Sequence, residues 1–76
     1  MNRPIFEIAK DIRNDWTNAS PYALPYLEAM DDLYSIEDKY IFDSAKSVIR
    51  YFLANATSWK GEVAREIKQE LKDMVA

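Results

Sequence analysis

The stretch DSAKSVIRYFLANA, residues Asp43–Ala56, decides the fold. Ala45, Val48, Ile49, Phe52, Leu53 and Ala56 recur at intervals of three and four residues. At about 100° per residue they cover one broad apolar face, the signature of a core-facing helix. Asp43 is expected to be its N-cap, the carboxylate accepting N–H groups two or three residues on. Phe42 stands just before it, where an apolar side chain fixes the angle at which the chain joins the helix. The opposite face carries Ser47, Tyr51 and Ala54, bordered by Lys46 and Arg50, with no acidic residue. So weakly charged a back predicts a helix surrounded by neighbours.

Working outward, each flank supplies further helical patterns. Before the central stretch, Pro4 suits a first helical turn, and Ile5, Ile8, Ala9, Ile12 and Trp16 form a stripe opposite Glu7, Lys10, Asp11 and Asn14. Phe6 lies at the stripe's edge, placed to cover a loop. Asn18-Ala19-Ser20-Pro21 is turn chemistry. Ser20 and Pro21 can open a second helix, but Pro25 lacks a donor and disfavours a helical Leu24. An irregular or 3₁₀ start through Tyr22–Leu24 is expected, then a helix with Leu27, Met30 and Leu33 or Tyr34 inside. Residues 35–42 read as a connection with Ile36, Tyr40, Ile41 and Phe42 tucked against the bundle.

After the central stretch, Asn55-Ala56-Thr57-Ser58 predicts a tight reversal, with Asn55 tolerating a left-handed conformation and Ser58 or Thr57 capping the next helix. That last helix has Trp59 in its first turn and a stripe of Val63, Ile67, Leu71 and Met74. Arg65, Lys68 and Lys72 flank the stripe on one side; Glu62, Glu66, Glu70 and Asp73 flank it on the other. No strand pattern or repeat interrupts the series. The expectation is an all-α, compact four-helix bundle with helices at roughly 4–18, 25–34, 44–56 and 59–75, forming a single helical domain over residues 1–76.

Composition narrows the chemistry. A chain of 76 residues has a thin stability margin, roughly 4–11 kcal/mol. There is no cysteine and no histidine, so disulfides, thiolate metal sites and the usual general base are all absent. The longest uncharged run, Trp16–Leu27, contains Pro21 and Pro25 and is too short to span a bilayer. The beginning, MNRPIFEIAKD, has no apolar run of a signal peptide, and Asn2 excludes myristoylation. Net charge is −3, divided between −5 over residues 1–43 and +2 over residues 44–76. Such a balance disfavours binding to a phosphate backbone.

Several residue groups admit a sharper reading beside a plain one. Glu28, Asp31 and Asp32 could approach a divalent cation, but a hard cation needs six or more oxygens and no ligand loop is nearby. A solvated acidic face is the plainer account, and no metal is expected. With Glu37 and Asp38 the same residues could imitate a phosphate array. Tyr22, Tyr26, Tyr34, Tyr40 and Tyr51, with Trp16 and Trp59, could stack on nucleotides. Both tryptophans fall on apolar stripes, so core packing is the simpler reading. Tyr51 points away from the core face and suits either an intramolecular contact or an interface.

The segment SVIRYFLANATSWKGEVAREIKQEL reads like the first two helices of a winged-helix domain. The sequence stops at Ala76, where the recognition helix would be expected next. With the last helix as reader instead, Arg65, Lys68 and Lys72 would sit beside several carboxylates. For catalysis only carboxylates and lysines are available as bases, and a compact bundle provides no evident cleft. No catalytic residues and no cofactor are expected.

The strings PYLEAM at Pro25–Met30, AKDIRNDW at Ala9–Trp16 and DSAKSVIRYFLANATSWKGEVAREIKQELK at Asp43–Lys72 together cover most of the chain. In their spacing the chain resembles a family of small uncharacterised proteins encoded by prophages and conjugative elements of Gram-positive bacteria. It departs at Ile41, where a glycine is expected after Tyr40; this bears on loop geometry rather than fold. The resemblance implies a mobile-element origin and a cytoplasmic location, and carries no activity. The expected role is a non-enzymatic protein–protein interaction module whose partner is another protein or a second copy. The candidate interface is Lys46, Ser47, Arg50, Tyr51 and Ala54; the candidate acidic surface is Glu28, Asp31 and Asp32. A DNA-binding or DNA-mimic regulator is the alternative, with nucleic acid the less favoured partner and no membrane expected.

Overall fold

A computed structural model describes residues 3–76, so residues 1 and 2 of the expected domain lie outside it. The chain is mostly helical: α1 (Ile5–Asp15), α2 (Leu24–Met30), α3 (Ala45–Ala54) and α4 (Glu62–Val75). It is not a pure four-helix bundle. Two short strands, β1 (Lys39–Tyr40) and β2 (Asp43–Ser44), form an antiparallel hairpin between α2 and α3, with Lys39 opposite Ser44 and Tyr40 opposite Asp43. Two-residue strands are too short to show an alternating pattern, so periodicity gives no sign of them.

Helix α3 packs on α2, on α4 and on the hairpin, while α1 bridges α2 and α4 from the far side. Ala45, Val48, Ile49 and Phe52 of α3, with Ala56 just beyond it, are buried together with Ile5, Ile8, Ala9 and Ile12 of α1. Leu27, Met30 and Leu33 complete the core from the α2 side. In α4 the buried set is Ala64, Ile67, Leu71 and Met74; the expected Val63 is 43 % exposed and Ala64 takes its place.

Trp16, Phe52 and Trp59 form one aromatic cluster. The two indoles stack at 5.7 Å and 10°, and Phe52 meets each edge-on at 6.3 Å. The Trp59 Nε1–H donates to Asp15 Oδ2 at 2.8 Å, tying the end of α1 to the α3–α4 connection. Trp59 therefore lies before α4, not in its first turn. Lys68 closes the arrangement: its Nζ donates to the Trp59 carbonyl at 2.6 Å and stands 5.8 Å from the ring centroid.

The helix ends differ from expectation for local reasons. Pro4 is the N-cap of α1, with φ −57° and ψ 142°, rather than its first helical residue. The first N–H groups of α1, at Ile5 and Phe6, donate to the carbonyls of Tyr34 and Leu33 at 3.0 Å each. Backbone from the 31–34 turn thus satisfies donors that a cap side chain usually serves. Helix α1 stops at Asp15 rather than residue 18, because Trp16 leaves the helical region at φ −100°, ψ 70°.

Helix α2 is confined to Leu24–Met30, with Pro25 in its first turn and Ser20 Oγ accepting the Tyr22 N–H before it. Ser44, not Asp43, caps α3: its backbone is extended and its Oγ accepts the Ser47 N–H at 3.1 Å. Asp43 is instead taken up in the hairpin. Asn55 ends α3 at φ −106°, not left-handed, and its Nδ2 donates to the Tyr51 carbonyl at 2.8 Å.

Neither Thr57 nor Ser58 caps α4. Gly61 is the N-cap, at φ 113° and ψ 179°, a conformation open in practice only to glycine.

The 31–44 segment is held by Asp38. Its carboxylate accepts the backbone N–H of Tyr34 at 2.8 Å, that of Ser35 at 3.1 Å, and the Ser35 hydroxyl at 3.3 Å. These donors, Tyr34 first, hold the Asp38 carboxyl below its ordinary value. Its carbonyl accepts the Ala45 N–H at 2.9 Å, linking the same residue to the start of α3. Ile36 and Tyr40 are partly buried against the core as expected. Ile41 and Phe42 are not: they form the hairpin tip, 73 % and 96 % exposed. Ile41 has φ 57°, a left-handed conformation that costs an L-residue about 1–2 kcal/mol.

Candidate functional site

The back of α3 is built by the same register that buries its front. Since Val48, Ile49 and Phe52 face the core, Ser47, Tyr51 and Ala54 must turn outward. Lys46, Arg50 and Ala54 are exposed and Ser47 is half-buried. Neighbouring helices border this face on both sides. Towards α2, Tyr51 stacks on Tyr26 at 5.7 Å and 24°, and Tyr51 remains 55 % exposed. Towards α4, Arg50 Nη2 donates to the Val75 carbonyl at 3.2 Å, a cation meeting the negative end of that helix. Ser47 is engaged locally, accepting from the Ser44 hydroxyl at 3.2 Å. Of the five residues expected to form one face, Tyr51 thus belongs to a tyrosine platform, Arg50 to a helix-end clamp and Ser47 to a capping pair, while Lys46 and Ala54 stand exposed.

The Tyr26–Tyr51 platform has a definite chemical character. Each ring has only two side-chain torsions to fix, and the stack restrains both before any partner arrives. Tyr22, on the turn leading into α2, and Leu24, its first residue, are also exposed, at 76 % and 41 %. Sequence reasoning singled out Tyr51 but not its pairing with Tyr26, because the two are brought together by α2–α3 packing and not by spacing along the chain.

Glu28, Asp31 and Asp32 are all exposed. Asp31 forms an ion pair with Arg13 of α1. Helix α2 ends at Met30, and Asp31 and Asp32 occupy the turn after it. Among the described residues no three potential ligands gather where a metal ion could be held.

A groove of about 390 Å³ lies between α1 and α4, lined by Arg3, Asp11, Asn14, Asp15, Val63, Glu66 and Ile67. Arg3 is held there by both oxygens of Glu70, at 3.0 and 3.1 Å, and by Asp11. Those hydrogen bonds, Glu70 first, raise the guanidinium pKa further, so it is permanently charged. On the basic flank of α4, Arg65 and Lys72 are exposed. Burial, followed by the nearby charges of Lys72 and Lys60, depresses the Lys68 ammonium.

The hairpin tip is the surface that sequence reasoning missed. The available signal was a β-branched residue at Ile41, where a glycine was expected. No helix among the described residues is long and apolar enough to cross a membrane. Compared with known protein families, curated proteins and solved structures, the chain matches none.

Proposed function

We propose that this chain is a small, non-enzymatic interaction module that binds another protein through the Tyr26–Tyr51 platform and the adjoining Ala54. The stacked tyrosine pair carries this reading: a pre-ordered, half-open aromatic surface loses little side-chain freedom on binding. The absence of histidine and cysteine supports a role in binding rather than turnover. The resemblance of the DSAKS, YFLANA and WKGE segments supports service to a prophage or conjugative element inside the bacterial cytoplasm.

The test compares the intact protein with Tyr51→Glu as bait in host extract, using helical circular dichroism to check folding. A partner captured by the intact protein and lost with the folded variant is the expected result. Equal capture by both would exclude the platform.

Arg65, Lys68 and Lys72 favour a nucleic-acid reading in charge alone. On the module reading, labelled duplex DNA at moderate salt shows no sub-micromolar binding in fluorescence anisotropy. Tight binding that weakens steeply with added salt would favour the regulator instead.

A further inference from the structure

A cationic cavity of about 300 Å³ lies where the α3–α4 connection meets α4. Lys60, Arg65 and Lys68 line it together with Thr57, Trp59 and Gly61, and no carboxylate does. Arg65 and Lys68 are three residues apart on α4 and so share a face, while Lys60 reaches the same space from the connection. Three positive charges therefore meet over one small concavity.

These charges are not neutralised by the chain itself. Ion pairs among the described residues are made by Arg3 and Arg13 only. The carboxylates of α4 are taken up elsewhere: Glu66 lines the α1–α4 groove, Glu70 holds Arg3 and Asp73 accepts from Gln69. Glu62 is exposed in the first turn and lies outside the cavity lining. Lys68 is half-buried, with its Nζ fixed 2.6 Å from the Trp59 carbonyl oxygen and 5.8 Å from the indole centroid. Burial first, then the charges of Lys72 and Lys60, push its pKa down. Like charges gathered around a partly desolvated ammonium raise the free energy of the empty cavity, and a bound anion recovers it. No side chain caps the start of α4, whose partial positive charge is of the same sign.

We propose that this cavity binds a compact dianion, the phosphoryl group of a phosphate monoester, through Lys60, Arg65 and Lys68. Arg65 offers paired N–H donors to two phosphoryl oxygens, and the lysines act as point charges. The Trp59 carbonyl occupies one donor of Lys68 and leaves two for the ligand. Convergence favours a compact dianion over a polymer. A nucleic-acid backbone needs cations spaced along a track, whereas α4 carries Glu62, Glu66 and Asp73 outside the cavity and the chain has a net charge of −3. The site uses no residue of the Tyr26–Tyr51 platform and stands independently of that reading.

Amide NMR tests it, with inorganic phosphate exchanged for chloride at constant ionic strength so that screening does not change. Saturable shifts confined to Lys60–Arg65 and Lys68 are expected. Arg65→Gln and Lys68→Gln are each expected to weaken binding about tenfold, the loss of one charge-assisted hydrogen bond. Arg65 is exposed, so its variant keeps the fold; circular dichroism checks Lys68→Gln, which also gives up the Trp59 contact. Lys10→Gln, on α1, removes the same charge outside the cavity and is expected to leave binding unchanged. A phosphoserine peptide that binds more tightly than phosphate would name a phosphorylated partner as the source of the group; equal or weaker binding would name a free phosphate compound. Shifts that grow without saturating, shifts spread along the chain, or equal weakening by Lys10→Gln would each overturn the proposal. A single-stranded oligonucleotide that displaces phosphate more effectively than the phosphopeptide would overturn it in favour of a nucleic-acid track.

Discussion

The core between α3 and its neighbouring helices and the 31–44 segment are made by different physics. In the core, position follows from burial. Among the described residues nineteen hydrophobic ones are buried and no polar or charged one is, and Phe52 sits between two tryptophans. In the 31–44 segment, position follows from hydrogen bonds and backbone conformation. Asp38 gathers three donors, the Leu33 and Tyr34 carbonyls receive the first N–H groups of α1, and two large apolar side chains are left in solvent. One region is held by apolar area, the other by a few directional contacts. They should fail differently.

The largest expected effect is in the core. Phe52→Ala removes the ring that both indoles meet edge-on, at a cost of about 3–5 kcal/mol. With a total stability of roughly 4–11 kcal/mol, this leaves the protein at or near unfolding. Urea or thermal denaturation measures it. A variant that melts cooperatively within a few degrees of the parent would show that the aromatic cluster is not the keystone of the core.

Next comes a backbone effect at the junction into α4. Nothing lies within 4 Å of where a Cβ on Gly61 would sit, so Gly61→Ala introduces no clash. The whole cost is the conformation, φ 113°, and amounts to about 1–3 kcal/mol. A loss well below that range would mean that the junction relaxes to a new path, and would weaken the account of why α4 starts at Glu62.

These two positions also show what the sequence discloses. The stripes of α1 and α3 were legible because burying an apolar face imposes a 3.6-residue period on composition. Phe52, Ile49 and Ile12 could be placed from spacing alone. Gly61 is the only glycine in the chain, yet its role depends on a backbone angle that no periodicity carries. The apolar residues of the 31–44 segment illustrate the same limit. Ile36, Tyr40, Ile41 and Phe42 look alike in composition, but only the first two pack on the core. What divides them is the two-residue turn at Ile41 and Phe42, set by pairing of Tyr40 with Asp43. Tyr51 was visible as an outward residue, whereas its stack on Tyr26 depended on how α2 and α3 pack.

A smaller effect, of opposite sign, is expected at the hairpin tip. Ile41→Gly relieves the left-handed strain and gives up little burial, since the side chain is 73 % exposed. Against the relief stands the greater freedom of glycine in the unfolded chain, so the net gain is about 0.5–1 kcal/mol. A higher urea midpoint with unchanged m-value is the expected result. If the variant is instead less stable, Ile41 makes a packing contribution and the tip is part of the monomer's structure.

The smallest effect separates the two regions by pH. The Asp38 carboxyl is held below its ordinary value chiefly by the Tyr34 N–H, then by the Ser35 N–H, with the Ser35 hydroxyl adding to them. A depressed folded-state pKa means that the charged form is favoured by folding. The resulting stability is fully present above the unfolded aspartate pKa and is lost as pH falls through the lower, folded one. The loss therefore belongs to the acid side of the normal aspartate range, and at neutral pH the contribution is constant. Asp38→Asn cannot lose a proton, so its stability should lie below the parent's at neutral pH and approach it as the solution is acidified. Hydrogen exchange at the amides of Tyr34 and Ser35 localises the effect: faster exchange there in the variant, with protection of Ile49 and Phe52 reduced only by the global change, places the loss in the 31–44 segment. A uniform drop in protection with no selective change at Tyr34 or Ser35 would show that segment and core open as one unit, and the contrast between the two regions would then hold for structure but not for stability.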